Sequence, residues 1–405
     1  MKNNKNRIIR LSLICAVFAA FCLFRPVPVQ AKESLNKSED IKPGAVGDFH
    51  AMIVSDLHFT LSKSATDVIV SGMSHAEEIT DIILAEVMDE SPDVFIMTGD
   101  NTNGGGPDAV EALVSKLQML RDAGIRLIIT TGNHDFNNMT PEEFEKAYFG
   151  LIDADERDDH SLSYVIDAGD AVFFAMDDNA VYPGGQGFFS RPTMDWLRDM
   201  LKKYRDRKII FLSHHNVLLG AGTEDSSNYC IQNTDLIGLL EYYGVRLVLT
   251  GHFHAQIILE RNGMYEIVSG MPLSGNHLVG TLTLTGNHLT YQASPIDFDA
   301  YGASEMTASL REKDARNLEL QKETFRAAVA KSGLPEATQE KILDLTVRFL
   351  TYYTEGTLSE HLEEVKDDPV CEDMIEALWD FNYGPWMKSV LDHPPLPATN
   401  LELDF

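Results

Sequence analysis

Three times in this chain an unbroken apolar run stops at Thr-Gly and is followed at once by a residue able to bind a metal. "DVFIM" leads into Thr98-Gly99-Asp100, "IRLIIT" into Thr131-Gly132-Asn133, and "VRLVL" into Thr250-Gly251-His252. A run with no polar alternation reads as a strand buried on both faces, and such strands occur in sheets covered by helices. Glycine directly after the strand lets the chain turn sharply and lets its backbone approach a ligand closely. In α/β sheets the functional site forms outside the carboxyl ends of the strands. Two further runs end the same way: "IVSDLH" delivers Asp56 and His58, and "IIFLSHH" delivers His214 and His215. The third Thr-Gly run continues as "GHFH", adding His254.

Between these runs lie amphipathic stretches. Ile79, Ile82, Ile83 and Val87 fall on one helical stripe, and "PDAVEALVSKLQMLRDAG" has Pro107 suited to a first turn and Gly124 suited to an end. Strands alternating with helices predict an α/β layered fold over residues 48–300. "YVIDAGDAVFFAM" predicts a hairpin. After Gly251 the pattern predicts antiparallel strands, with Asn262-Gly263 at one hairpin turn. Residues 301–405 are rich in helical patterns and predict a smaller, all-helical C-terminal domain.

The tetrapeptide Thr-Gly-Asn-His occurs twice. The copy at 131–134 follows a buried strand and precedes Asp135. The copy at 285–288 follows the alternating "TLTLT" and reads as an ordinary exposed hairpin turn, without a catalytic role for His288.

The N-terminus carries Lys2, Lys5, Arg7 and Arg10 ahead of the apolar run Leu11–Phe24, with small residues at Val29 and Ala31. This is the pattern of a signal peptide over residues 1–31 cleaved after Ala31, and it predicts a secreted or extracytoplasmic protein. An uncleaved membrane anchor is the competing reading. Residues 32–47 read as a polar linker. Cleavage would remove five positive charges (Lys2, Lys5, Arg7, Arg10, Arg25) and no negative ones, moving the net charge from −29 to −34. Such a surface repels nucleic-acid polymers, whereas a small anion can still bind where cations reverse the field locally. Cys230 and Cys371 would remain; they are expected to pack as thiols, with one disulfide as the alternative.

Asp56, His58, Asp100, Asn133, His214, His252 and His254 are too many ligands for one tetrahedral ion and include no thiolate. Mixed nitrogen and oxygen donors suit a pair of divalent ions such as Mn, Fe or Zn. Two close metals clamping the attacking and leaving oxygens are a device for phosphoester hydrolysis. The ordered motifs "DLH", "GD", "GNHD", "HH" and "GHFH" over residues 48–295 resemble those of the calcineurin-like metallophosphoesterases. The resemblance implies a β-sandwich flanked by helices. It also implies one metal on Asp56, His58 and His254, the other on Asn133, His214 and His252, and Asp100 bridging. His134 would act as general acid or charge stabiliser at the leaving oxygen, oriented by Asp135, with a hydroxide held between the metals attacking in line. "GDNTNGG" and "GNHDFNN" look like a secreted bacterial branch related to class III cyclic-nucleotide phosphodiesterases, with Asn101 where that branch has an apolar residue. Asn101, His215 and His277 are candidate substrate contacts, and His215 is alternatively a support for a neighbouring ligand. The expected substrate is a small phosphodiester, with cyclic nucleotides first. A phosphomonoesterase or nucleotidase is the alternative within enzymes, and a catalytically silent metal-binding sensor is the alternative outside them.

Overall fold

A computed structural model describes residues 48–63, 72–179, 186–218, 230–381 and 383–405. The leader, its cleavage point, the linker and the loop Gly220–Tyr229 lie outside the described residues. Thirteen strands among the described residues form two sheets. In the first half of the chain come β1 (Asp48–Val54), β2 (Val94–Met97), β3 (Arg126–Ile129), β4 (Glu156–Arg157), β5 (Tyr164–Asp167) and β6 (Val172–Ala175). They are followed by β7 (Ile209–Leu212), β8 (Leu247–Thr250), β9 (Ile257–Arg261), β10 (Met264–Val268), β11 (Leu278–Thr285), β12 (His288–Pro295) and β13 (Asn400–Asp404). One sheet runs β13-β12-β11-β1-β2-β3 and the other β4-β5-β6-β7-β8-β10-β9.

Each sheet has a parallel centre. β1, β2 and β3 are mutually parallel, as are β6, β7, β8 and β10. Their inward faces share one apolar core containing Phe49, Leu127, Phe173, Ile210 and Leu247, with the Phe49 and Phe173 rings 5.4 Å apart. Outside the sheets lie α1 (Ala76–Glu90), α2 (Pro107–Asp122), α3 (Pro141–Tyr148), α4 (Arg191–Lys203) and α5 (Leu236–Tyr242). α2 begins at Pro107, and Gly124 takes the φ of +93° that ends it, as its sequence predicts. The layered α/β architecture is therefore a two-sheet sandwich flanked by helices.

Two details differ from the sequence reading. β9 and β10 form the expected hairpin around Asn262-Gly263, but β10 runs parallel to β8, so the region after Gly251 is not purely antiparallel. The C-terminal region comprises α6 (Phe298–Tyr301), α7 (Ser304–Val329), α8 (Glu336–Thr354), α9 (Leu362–Lys366), α10 (Cys371–Ala377) and α11 (Tyr383–Asp392). It is not helical to its end: β13 returns to pair antiparallel with β12, covering that sheet edge. Five alternating residues with only Leu403 buried are too short a signal to separate from a tail. Among the described residues no helix is long and apolar enough to cross a membrane. Cys230 and Cys371 are both buried free thiols, as the packing reading expects.

The C-terminal end of α8 meets the loop after β10. There Asn276 Nδ2 donates to Glu355 Oε2 at 2.7 Å. Burial, with Asp314 nearby, pushes the Glu355 carboxyl up from 4.5 to about 7. A raised acid pKa favours the protonated folded form, so its contribution is fully present below 4.5 and is lost as the pH rises through about 7. Glu355→Gln keeps an oxygen for Asn276 and removes the charge. Thermal melts should therefore place the variant a few degrees above the parent at about pH 8, with the gap closing near pH 5. A constant gap at both pH values would contradict this.

Candidate dinuclear metal centre

Five parallel strands end at one rim of the sandwich, and each contributes to the site. From the first sheet, the chain beyond β1 carries Asp56 and His58, beyond β2 Asp100, and beyond β3 Asn133 and His134. From the second, β7 leads to His214 and β8 to His252 and His254. The turns are tight. Asp56, His58, Asp100, His252 and His254 all have φ between 41° and 66°, a region non-glycine residues rarely enter. Gly132 and Gly251 leave no room for a side chain: a Cβ would stand 1.9 Å from the Asp100 nitrogen and 1.7 Å from Ser55 Oγ, respectively. Gly132 thus lets the loops after β2 and β3 pack together within one sheet, and Gly251 lets the loop after β8 meet that after β1 across the two sheets.

The ligand atoms fall into two groups joined by Asp100. Asp56, His58, Asp100 and His254 offer one atom each within 4.8 Å of one another, and so do Asp100, His214 and His252. His58 Nε2 and His254 Nε2 are 3.2 Å apart, and His254 Nε2 lies 3.2 Å from Asp56 Oδ1. Asp100 divides its oxygens, with Oδ2 3.5 Å from His58 Nε2 and Oδ1 3.5 Å from His214 Nε2. Asn133 Oδ1 lies 3.0 Å from His214 Nε2, joining the second group. His214 Nδ1 donates to the Thr98 carbonyl at 2.9 Å, which leaves Nε2 aimed at the centre with its lone pair available to a cation.

The electrostatics match this use. Burial opposes charge on His58 and pushes its imidazole down to about 3, so it is neutral at pH 7, the form a metal ligand takes. Burial alone would raise Asp56, but His254 overrides it and holds the carboxyl at about 2. Burial likewise opposes ionisation of Asp100, yet His214 and His58 keep it well below the usual range. Burial also opposes charge on His214, yet Asp100 raises it to about 10, so a proton sits where a cation would replace it. Imidazoles facing one another across shared carboxylates are a donor set for two divalent ions, and the residues present fit them.

His134 stands beside the first group. Its backbone N–H donates to Asp100 Oδ1 at 2.7 Å, and its ring lies edge-on to His58 with centroids 4.6 Å apart. The structure corrects the role expected for Asp135. Its carboxylate is fully buried and accepts from Gly132 N (3.0 Å), Asn101 N (3.2 Å), Asn101 Nδ2 (2.8 Å), Thr102 N (2.9 Å) and Thr102 Oγ1 (3.0 Å). The His134 ring is not among these partners, so Asp135 ties the β2 and β3 loops together rather than orienting the imidazole.

Two further expectations, the substrate contacts of Asn101 and His277, are corrected, and of the two readings of His215 the supporting one fits. Asn101 is fully buried, with Nδ2 shared between Thr130 O and Asp135, so it faces the interior rather than a substrate. His215 is also fully buried, with its ring 4.1 Å from that of His252, and it packs behind a ligand. His277 is 7% exposed and is held by Pro272 O at 2.8 Å and Asp314 Oδ2 at 3.2 Å, joining the loop after β10 to α7. His288 lies at an exposed hairpin tip beside Asp404, far in character from its namesake copy. Sequence reasoning missed Asp177 and Asp178 beyond β6, although "VFFAMDDN" carries the same apolar-run signal. Asp177 accepts from Thr131 Oγ1 at 2.7 Å, and Asp178 accepts from His215 N at 2.8 Å, so both brace the ligand loops.

These features define a metallophosphoesterase with a two-metal site on a sandwich of two sheets. The chain belongs to the calcineurin-like phosphoesterase family, whose model matches residues 49–256. It is 27% identical over 221 residues to a 3',5'-cyclic-nucleotide phosphodiesterase of a Nostoc species, covering 53% of this chain and 75% of that protein. It is 29% identical over 165 residues to a probable glycerophosphodiester phosphodiesterase of Arcobacter nitrofigilis, covering 40% of this chain and 57% of that one. A dimetal phosphatase from Danio rerio superposes with a TM-score of 0.49 at 14% identity, covering 62% of this chain and 96% of that one.

Proposed function

We propose that this metallophosphoesterase is an exported phosphodiesterase acting on small diesters, with cyclic nucleotides as the first substrate class. The observation that carries the hydrolytic reading is the pair of ligand groups meeting at Asp100, with a partly exposed imidazole, His134, at their edge. The diester preference is supported by relatives named as phosphodiesterases. The export reading rests on the N-terminal charge and apolar pattern.

Two bound divalent ions supply Lewis acidity to phosphoryl oxygens and lower the pKa of water. The protein's own residues do the rest. Asp100 spaces the two ligand groups and fixes the His134 backbone. Thr98 and Asp178 hold the second group from behind through His214 and His215. His134 donates a ring proton to the departing oxygen, which needs no metal ligand to move.

The test uses full-length protein expressed in a bacterial host and purified from the exported fraction, then stripped and reloaded with Mn. Rates are compared on bis-p-nitrophenyl phosphate, p-nitrophenyl phosphate and a cyclic nucleotide, and the mature N-terminus is read by mass. Faster diester turnover with hydrolysis of the cyclic nucleotide, on a chain starting at Lys32, is the expected result. A monoester preference would replace the reading by that of a phosphomonoesterase. A chain retained in the cytoplasm with its leader intact would remove the export claim.

A further inference from the structure

We infer that the helical C-terminal region sets the affinity of one metal position, that of Asp56, His58, Asp100 and His254, by holding the loop that carries His254. This rests on the dinuclear reading of the site. The loop is gripped differently at its two histidines. His252 is anchored by the sandwich: Gly251 N donates to His214 O at 3.1 Å, His252 N donates to Asp56 Oδ2 at 3.0 Å, and its ring packs against His214 and His215. His254 is 28% exposed, and its ring meets only its fellow ligands His58 and Asp56 among the contacts described.

What fixes His254 lies on either side of it. Phe253 and Ala255 are buried, at 7% and 0% exposure, in a core formed otherwise mainly by the C-terminal helices, with Phe325 and Val329 from α7 and Phe349 and Leu350 from α8. The next residue, Gln256, donates its N–H to Thr354 O at the end of α8 at 2.7 Å and its Nε2 to Ala398 O at 2.8 Å. Gly356 closes against it so tightly that a Cβ would meet Gln256 O and Ala398 Cβ, each at 2.8 Å, at a φ of +75°. The His254 backbone itself sits at φ +55°. Among the described residues the His254 backbone makes no hydrogen bond, and its ring contacts only fellow ligands. A left-handed residue so placed keeps its conformation only while its flanks are held, and here the helices hold them. Phe253, Gln256 and Gly356 are thus positioning residues for one ligand, and the helices are part of the metal centre.

The test measures Mn binding to metal-free full-length protein by equilibrium dialysis, with the electron paramagnetic resonance of the coupled Mn pair as a second readout. The variants are Phe253→Ala, Phe253→Leu and Gly356→Ala, with Leu240→Ala as a control in a different core. Wild type is expected to bind two ions. Phe253→Ala and Gly356→Ala should keep one ion at near-parental affinity, weaken the second about tenfold or more and lose the coupled signal. Phe253→Leu should largely restore both, and Leu240→Ala should lower the melting temperature while leaving both affinities intact. Equal weakening of both ions, or the same loss in Leu240→Ala, would overturn the inference. A wild type that binds fewer than two ions would instead refute the dinuclear reading beneath it.

Discussion

Replacing His134 with alanine is expected to lower diester turnover about 100- to 10,000-fold while both metals stay bound, the range over which a positioned general acid acts. The structure separates the two roles of this residue. Its backbone N–H, bonded to Asp100 Oδ1 at 2.7 Å, survives the substitution, so the carboxylate shared by the two ligand groups keeps its place. Its ring belongs to neither ligand group, so no donor to a metal is removed. The loss should appear in kcat more than in KM, because the proton is needed only as the leaving oxygen departs. It should also be smallest for substrates whose leaving group is a weak base, since these depart without protonation. Unchanged turnover would remove His134 from the chemistry, and loss of metal would show that its ring supports the ligands instead.

Asp135→Asn should be worse for the protein as a whole. The carboxylate accepts five hydrogen bonds from the β2 and β3 loops in a fully buried setting. Burial with Asp100 nearby pushes it up to about 6, still low enough to be mainly ionised at neutral pH. An asparagine offers only one accepting oxygen and turns an N–H toward groups that are themselves donors. Each buried donor left without a partner costs about 1–3 kcal/mol, so a loss of about 3 kcal/mol or more is expected. For a chain of this length that corresponds to a fall of about 3–4 °C or more in melting temperature. Activity should fall with it, because Asp100 and Asn133 lie on the two loops that Asp135 joins. Calorimetry on the metal-free protein checks the stability claim separately from catalysis. A variant that melts with the parent yet has lost its activity would return Asp135 to the catalytic role the motif implies.

The contrast between these residues shows how far a motif can be read. Which residues meet was legible because the signal is local and repeated: each ligand follows an apolar run, and a strand buried on both faces leaves a run without alternation. The same logic separated the two Thr-Gly-Asn-His copies, since an alternating strand such as β11 has one face toward solvent and ends in a common turn. Which way a side chain faces was not legible. Asp135 and Asn101 follow the ligands at ordinary motif spacing, yet both point into the protein, where Asp135 accepts from the loop after β2 and Asn101 Nδ2 donates to Thr130 O and Asp135 Oδ2 beyond β3. His277, a candidate substrate contact on a loop not far along the chain from the ligands, ties that loop to α7 instead.

The sequence by itself determined the alternating architecture, the strand ends that carry ligands and the reaction class those ligands permit. These depend on the order and polarity of neighbouring residues, which folding does not change. Only the tertiary structure decided that the ligands come from two sheets rather than one. It also decided that Asp100 faces both groups, that β13 returns to a sheet edge, and that Phe253 between two metal histidines belongs to the core of the C-terminal helices. Those facts depend on contacts between residues up to more than a hundred positions apart, where burial and hydrogen-bond partners are set by packing and leave no periodicity in the chain.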